Sequence, residues 1–218
     1  MKRLVIMAVM AVLVGCGGGA TDEDQQGGKS TALQPLEVGA RWTYETSDAG
    51  GGDRAVKSVE VIRTEMLGET ETAVVESRRG NGRTLVWLAE MDGRIVRLRE
   101  ESWEGETRMD RRGFAPGSLR TPASVGALRV GQELDGNYVE QVLADDDRVM
   151  GSRQRVATYR VEAVDEKIAT PAGEFWSVRL RKLGDDGGEG KLTWYAPGVG
   201  KVREEGGRIE VLQSFSTP

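Results

Sequence analysis

The sequence predicts a mostly β domain over residues 34–218, with about ten to eleven antiparallel strands forming a curved sheet, a half-barrel or an open barrel. Three observations carry this expectation. Apolar and polar residues alternate with period two: Trp42 and Tyr44 against Arg41, Thr43 and Glu45, and Trp176, Val178 and Leu180 against Ser177, Arg179 and Arg181. Such alternation gives one packed and one wet face, which antiparallel sheets tolerate and all-parallel sheets rarely do. Turn residues recur at short intervals, among them Gly80-Asn81-Gly82, Asp92-Gly93 and Gly206-Gly207, and these supply the positive φ of tight hairpins. Helical spacing is confined to residues 138–150, where Val139, Val142 and Leu143 share a face but Asp145-Asp146-Asp147 opposes a helix.

In chain order, Lys2 and Arg3 precede an apolar run from Leu4 to Val14, then Gly15 and Cys16. About 11 apolar residues cannot cross a bilayer as a helix, which needs roughly 20, so residues 1–15 read as an export signal. Leu13-Val14-Gly15-Cys16 resembles the bacterial lipobox. That resemblance implies cleavage before Cys16 and a lipid on its sulfur, and two or more acyl chains give stable anchoring. Gly17 and Gly18 follow, without Asp at the second position, a pattern similar to that of cargo sent to the outer membrane. Residues 16–33 are acidic and Gly-rich with one large apolar side chain, Leu33, and read as a flexible tether.

Beyond the tether, alternation marks strands around Trp42, Val59, Val96, Tyr159 and Val178, while Pro116, Gly117 and Pro122 mark residues 114–124 as a loop dividing the chain. The two sides of that loop contain matching segments. Leu36-Glu37-Val38-Gly39 matches Leu128-Arg129-Val130-Gly131, and Leu85-Val86-Trp87-Leu88-Ala89 matches Leu192-Thr193-Trp194-Tyr195-Ala196. Either the domain consists of two similar halves, or short matches have arisen by chance in a Gly-rich β chain.

Two longer segments carry a family resemblance. Val38-Gly39-Ala40-Arg41-Trp42-Thr43-Tyr44, and residues 168–202 with Thr170-Pro171-Ala172-Gly173 and Trp194-Tyr195-Ala196-Pro197-Gly198, resemble the TapB-like group of uncharacterised bacterial periplasmic proteins and lipoproteins. The resemblance implies a β-rich extracytoplasmic domain and carries no catalytic residue across.

Composition narrows the chemistry. The chain has no His, which removes Ser-His-Asp and Cys-His catalysis, His-based metal sites and an imidazole proton shuttle. A single Cys forbids an internal disulfide or a thiolate metal cluster. The net charge of −5 argues against nucleic acid as a partner. No cofactor, metal or catalytic residue is expected. Three groups are candidate sites, each with a plainer reading beside it. Asp145, Asp146 and Asp147, and Asp185, Asp186 and Glu189, are carboxylate clusters of the kind that acid/base or calcium chemistry uses, and equally of solvated turns. Arg78, Arg79, Arg97, Arg99, Arg108, Arg111 and Arg112 stand near Glu76, Glu100, Glu101, Glu104 and Asp110. They read as cross-strand ion pairs, with residues 109–114 a candidate seat for an anion or partner. Trp42, Trp87, Trp103, Trp176 and Trp194, with Tyr44, Tyr159 and Tyr195, line either a pocket or a core.

The expected function is that of a lipid-anchored outer-membrane lipoprotein, facing the periplasm, whose β domain binds or scaffolds without catalysis. Its partners would be the membrane through the lipid on Cys16, and a periplasmic protein or an apolar ligand. One alternative is a lipid or lipoprotein carrier, similar in architecture to the outer-membrane receptor LolB. Another is a glycan hydrolase built on two carboxylates.

Overall fold

The computed structural model describes residues 30–183 and 190–218. The signal, Cys16 and most of the tether lie outside the described residues, as do Asp185, Asp186 and Glu189. Fourteen strands form one open antiparallel sheet, more than the ten to eleven expected. In chain order they are β1 (Arg41–Asp48), β2 (Ala55–Leu67), β3 (Thr70–Arg79), β4 (Gly82–Met91), β5 (Arg94–Glu104), β6 (Thr107–Pro122), β7 (Glu133–Asp135), β8 (Tyr138–Leu143), β9 (Val149–Arg155), β10 (Thr158–Thr170), β11 (Gly173–Leu183), β12 (Leu192–Ala196), β13 (Gly200–Glu205) and β14 (Arg208–Ser216). Their order across the sheet is β7-β10-β11-β12-β13-β14-β1-β2-β3-β4-β5-β6-β8-β9. Most neighbours are sequential hairpins, and β1 pairing with β14 joins the two runs.

No helix occurs among the described residues. The helix expected over residues 138–150 is instead the β8–β9 hairpin. The physical reason is a tertiary one: Arg112–Ala115 of β6 offer unpaired ladder groups, and Val139–Val142 take them. The loop expected over residues 114–124 is also corrected, because β6 runs through it to Pro122. Arg97 pairs with Ser118 and Arg99 with Gly113, so Phe114–Gly117 bulge out of the β5 ladder, and Pro116 sits where no ladder donor is needed.

The sheet curls on itself without closing. Beyond the bulge, β6 pairs only with β5, and its carbonyls on the free side meet hydroxyls from distant strands. Tyr159 of β10 donates to the Leu119 carbonyl at 2.8 Å, and Tyr195 of β12 donates to the Arg120 carbonyl at 3.1 Å. Side-chain hydrogen bonds thus do what a ladder would do in a closed barrel. A strap fastens this seam. Leu33 donates to the Ala123 carbonyl at 2.9 Å, Val125 donates to Thr31 at 3.2 Å, and Gly198 donates to Ala32 at 2.8 Å. Leu33 is fully buried against Leu128, Val161, Val178, Leu180 and Tyr195. The C-terminal end of the segment read as a tether is therefore built into the body.

The core is continuous around the curl. Trp42, Tyr44, Val61, Leu88, Ile95, Trp194, Val202 and Leu212 form its larger part. Bonding recurs between the matching segments. Gly39 donates to Val61, whose N–H returns to Ala40; Gly131 donates to Val161, whose N–H returns to Gln132. Gly39 and Gly131 both need positive φ, at 97° and 83°. Trp87 donates its indole N–H to Glu65, and Thr72 donates to the Glu65 carbonyl at 2.8 Å. Trp194 and Ser177 treat Glu166 in the same way, at 3.0 and 2.8 Å.

Candidate functional site

The candidate residues are dispersed by the fold. Asp145, Asp146 and Asp147 occupy the β8–β9 turn, paired with Arg108, with Arg148 at 3.8 Å, and with Arg99 and Arg111 at 2.8 Å each. Arg78 pairs with Glu76 at 2.7 Å, Arg112 with Glu140 at 2.8 Å and Arg111 with Glu101 at 2.9 Å. Arg79 donates to the Thr46 hydroxyl at 3.0 Å. The arginines of residues 109–114 are compensated by carboxylates. Among the described residues no group of acids or thiols could hold a metal ion, and no helix is long and apolar enough to cross a membrane.

The aromatic set divides. Trp42, Trp87, Trp194, Tyr44, Tyr159 and Tyr195 are core residues. Trp103 is half-buried beneath Arg83, 4.6 Å from its ring centroid. Trp176, expected on the packed face, is 63% exposed. Its neighbour Phe175, of the opposite parity, packs against the core instead, so the alternation that holds for Val178 and Leu180 does not extend to Trp176.

A site that the sequence did not single out lies inside the curl. Ser118–Arg120 of β6, Tyr159, Lys182, Lys191, Tyr195 and Glu204 of β13 border a cavity of about 160 Å³, and a smaller one of about 90 Å³ lies on the far side of Arg120 and Tyr195. Arg120 lines both. It retains solvent-accessible surface there, yet makes no side-chain hydrogen bond or ion pair among the described residues. Next to it a chain of charges runs across three strands and the segment leading into β12. Lys57 meets Glu210 at 2.9 Å; Glu210 meets Lys201 at 2.6 Å; Lys201 meets Glu204 at 3.0 Å; Glu204 meets Lys191 at 3.1 Å. Lys201 also lies 5.2 Å from the Tyr44 ring centroid, and Tyr44 donates to the Lys201 carbonyl at 2.9 Å.

The electrostatics of this chamber follow from burial and crowding. Burial works against the Glu204 carboxylate, but Lys201 and Lys191 pull it down to about 2. Glu210 is lowered in the same manner, burial being overcome by Lys201 and Lys57. Burial lowers Lys57, with Lys201 adding to the effect, and lowers Lys191, with Arg120 and Lys201 adding to it. Lys201 is raised because Glu204 and Glu210 outweigh its burial. Burial pushes the phenols of Tyr44, Tyr159 and Tyr195 upward, so all three stay protonated as donors. Arg97, at the cavity wall, stacks 4.0 Å from the Phe114 centroid and pairs with Glu100, while its Nε is buried without a partner. Burial lowers its affinity for the proton, and Arg120 contributes.

Sequence reasoning missed Arg120 because it falls in the stretch read as a loop. Lys201 and Glu204 stood in a segment read only as a fold determinant. Nothing local distinguishes these residues from solvated ones, and Arg120 shares a cavity wall with Glu204 only through contacts distant in the chain.

No protein-family model matches the chain, and no curated protein matches it. Two solved structures are similar to it. One is a protein from Bacteroides fragilis described as exported and YmcC-like in fold, at 12% sequence identity and a TM-score of 0.46, the match covering 86% of this chain and 100% of that one. The other is a protein from Parabacteroides distasonis described as a lipoprotein, at 17% identity and a TM-score of 0.39, covering 86% of this chain and 99% of that one.

Proposed function

We propose that the chain is a lipid-anchored lipoprotein of the TapB-like kind at the periplasmic face of the outer membrane. Its β domain is a non-catalytic binding module, with its ligand seat in the chamber around Arg120. The observation that carries the reading is the chamber itself: a solvent-accessible cavity inside a curled sheet, bordered by a cation with no carboxylate partner among the described residues. Arg120 is exposed, so it keeps its hydration inside the curl and can exchange it for a ligand, whereas a fully desolvated unpaired charge would be costly. The strap adds to the reading. It continues directly from the segment behind Cys16, so an anchor there would hold the chamber near the membrane.

The chamber favours binding over hydrolysis. A general acid at neutral pH needs a raised carboxyl pKa, whereas Glu204 and Glu210 are both lowered. An acyl-chain carrier is less well supported, since pockets for ligands of ordinary drug size run to about 300–1,000 Å³ and are mostly apolar, while this cavity is about 160 Å³ and lined by charge.

The test is the full-length chain expressed in a Gram-negative host. It should fractionate with membranes as a lipid-modified form beginning at Cys16, and Cys16→Ala should leave it soluble or unprocessed. A processed Cys16→Ala protein that still fractionates with membranes would overturn the anchored reading. Native mass spectrometry of the purified wild-type protein reads the second half of the proposal, a small molecule retained by the folded domain.

A further inference from the structure

The charges around the chamber do not balance. Lys57, Lys191 and Lys201 share two carboxylates, Glu204 and Glu210, and Arg97 takes Glu100. Arg120 has no carboxylate within ion-pair distance among the described residues. Among these described residues the excess is about two positive charges, with Lys182 also on the cavity wall, in a protein whose net charge is −5. It is not an artefact of a polar surface, because the side chains of Lys201, Glu204 and Glu210 are only 11, 13 and 9% exposed.

From this geometry we infer that the chamber is a binding site for a phosphoryl dianion, with Arg120 as its principal ligand. The inference rests on the binding-module reading and names its ligand class. A phosphate or phosphomonoester carries a charge between about −1.5 and −2 at pH 7, which matches the excess. A guanidinium without a carboxylate presents its planar fork to two phosphate oxygens at once. The Ser118 and Thr193 hydroxyls on the cavity wall are further donors, and Lys191 stands on the same wall. Size agrees as well: a cavity near 150 Å³ holds a single ring, so about 160 Å³ takes a phosphate with a small substituent.

Calorimetry on the purified full chain tests this, with inorganic phosphate in one arm and a short-chain phosphatidic acid, below its micellar concentration, in the other. Sodium chloride at matched ionic strength is the blank. Saturable one-to-one binding is expected in at least one arm. Inorganic phosphate assigns a free anion, and phosphatidic acid alone assigns a lipid headgroup. Arg120→Gln should weaken binding at least tenfold and Lys191→Met by a smaller factor. Without ligand, Arg120→Gln should melt no lower than wild type, because it removes a cation that had no partner. Absence of binding in both arms, or equal binding by Arg120→Gln, overturns the inference. A copurified neutral ligand, unaffected by Arg120→Gln, would leave the binding-module reading standing while this one falls.

Discussion

Glu204→Gln isolates how much the buried charge chain contributes to stability. Glu204 lies between Lys201 at 3.0 Å and Lys191 at 3.1 Å, with its side chain 13% exposed. Its carboxyl is held at about 2 against an ordinary 4.5. At about 1.4 kcal/mol per pH unit, that interval corresponds to about 3 kcal/mol. The sign follows from proton linkage. A carboxyl lowered in the folded state contributes its full stability above its unfolded value and loses it as pH falls toward the folded one. The contribution is therefore present at pH 7 and disappears between about pH 5 and pH 2. Removing one partner of a buried pair costs about 3–5 kcal/mol because the other is left uncompensated, which agrees in size. For a domain of this length, each kcal/mol moves the midpoint by about 2–4 °C. Glu204→Gln should thus melt about 6–12 °C below wild type at pH 7, and the two proteins should converge as the pH is lowered to 2–3. Thermal unfolding by circular dichroism over that pH series is the assay. An unchanged midpoint at pH 7, or a gap that widens in acid, would refute the reasoning.

The remaining predictions concern the strap and the aromatic set. Leu33→Ala should cost about 2–5 kcal/mol, as large-to-small changes at buried sites do, while Val38→Ala, where the side chain is 49% exposed, should change the midpoint little; equal effects would show that the strap is not part of the folded unit. Trp194→Ala should cost about 3–5 kcal/mol, whereas Trp176→Ala should be nearly neutral. In the wild type, acrylamide should quench a fraction of the fluorescence that Trp176→Phe abolishes.

Much of the architecture was legible because a half-buried antiparallel strand writes its two faces into alternate positions. Trp42 and Tyr44 in β1, and Val161 in β10, were readable in this way, and the Asp92-Gly93 turn has both residues at positive φ, 51° and 70°. The undercount of strands has identifiable causes. β7 is three residues long, and β9 is polar and mostly exposed, so neither displays alternation. The apolar spacing of β8 fits one face of a helix, and only the vacant edge of β6 selects the strand. Pro116 and Gly117 look like chain breakers in isolation but occupy a bulge within a continuous strand.

By itself, the sequence determined the β character of the domain, the absence of imidazole chemistry and the resemblance of Leu13-Val14-Gly15-Cys16 to a lipobox ahead of an acidic segment. These depend on composition or on neighbours a few positions apart. The tertiary structure alone decided which charges are surface pairs and which belong to a chamber. Lys57, Arg120, Lys191, Lys201, Glu204 and Glu210 come from four strands and one connecting segment; all but Arg120 lie along the sheet from the entry of β12 to β2, and Arg120 joins them when the sheet curls until Tyr159 and Tyr195 reach β6. A charged residue on a strand has the same local signature whether it faces water or a closed concavity. What differs is the dielectric around it and the charges that share its concavity, and for Arg120 these depend on contacts distant in the chain, as with Tyr195, 75 positions away.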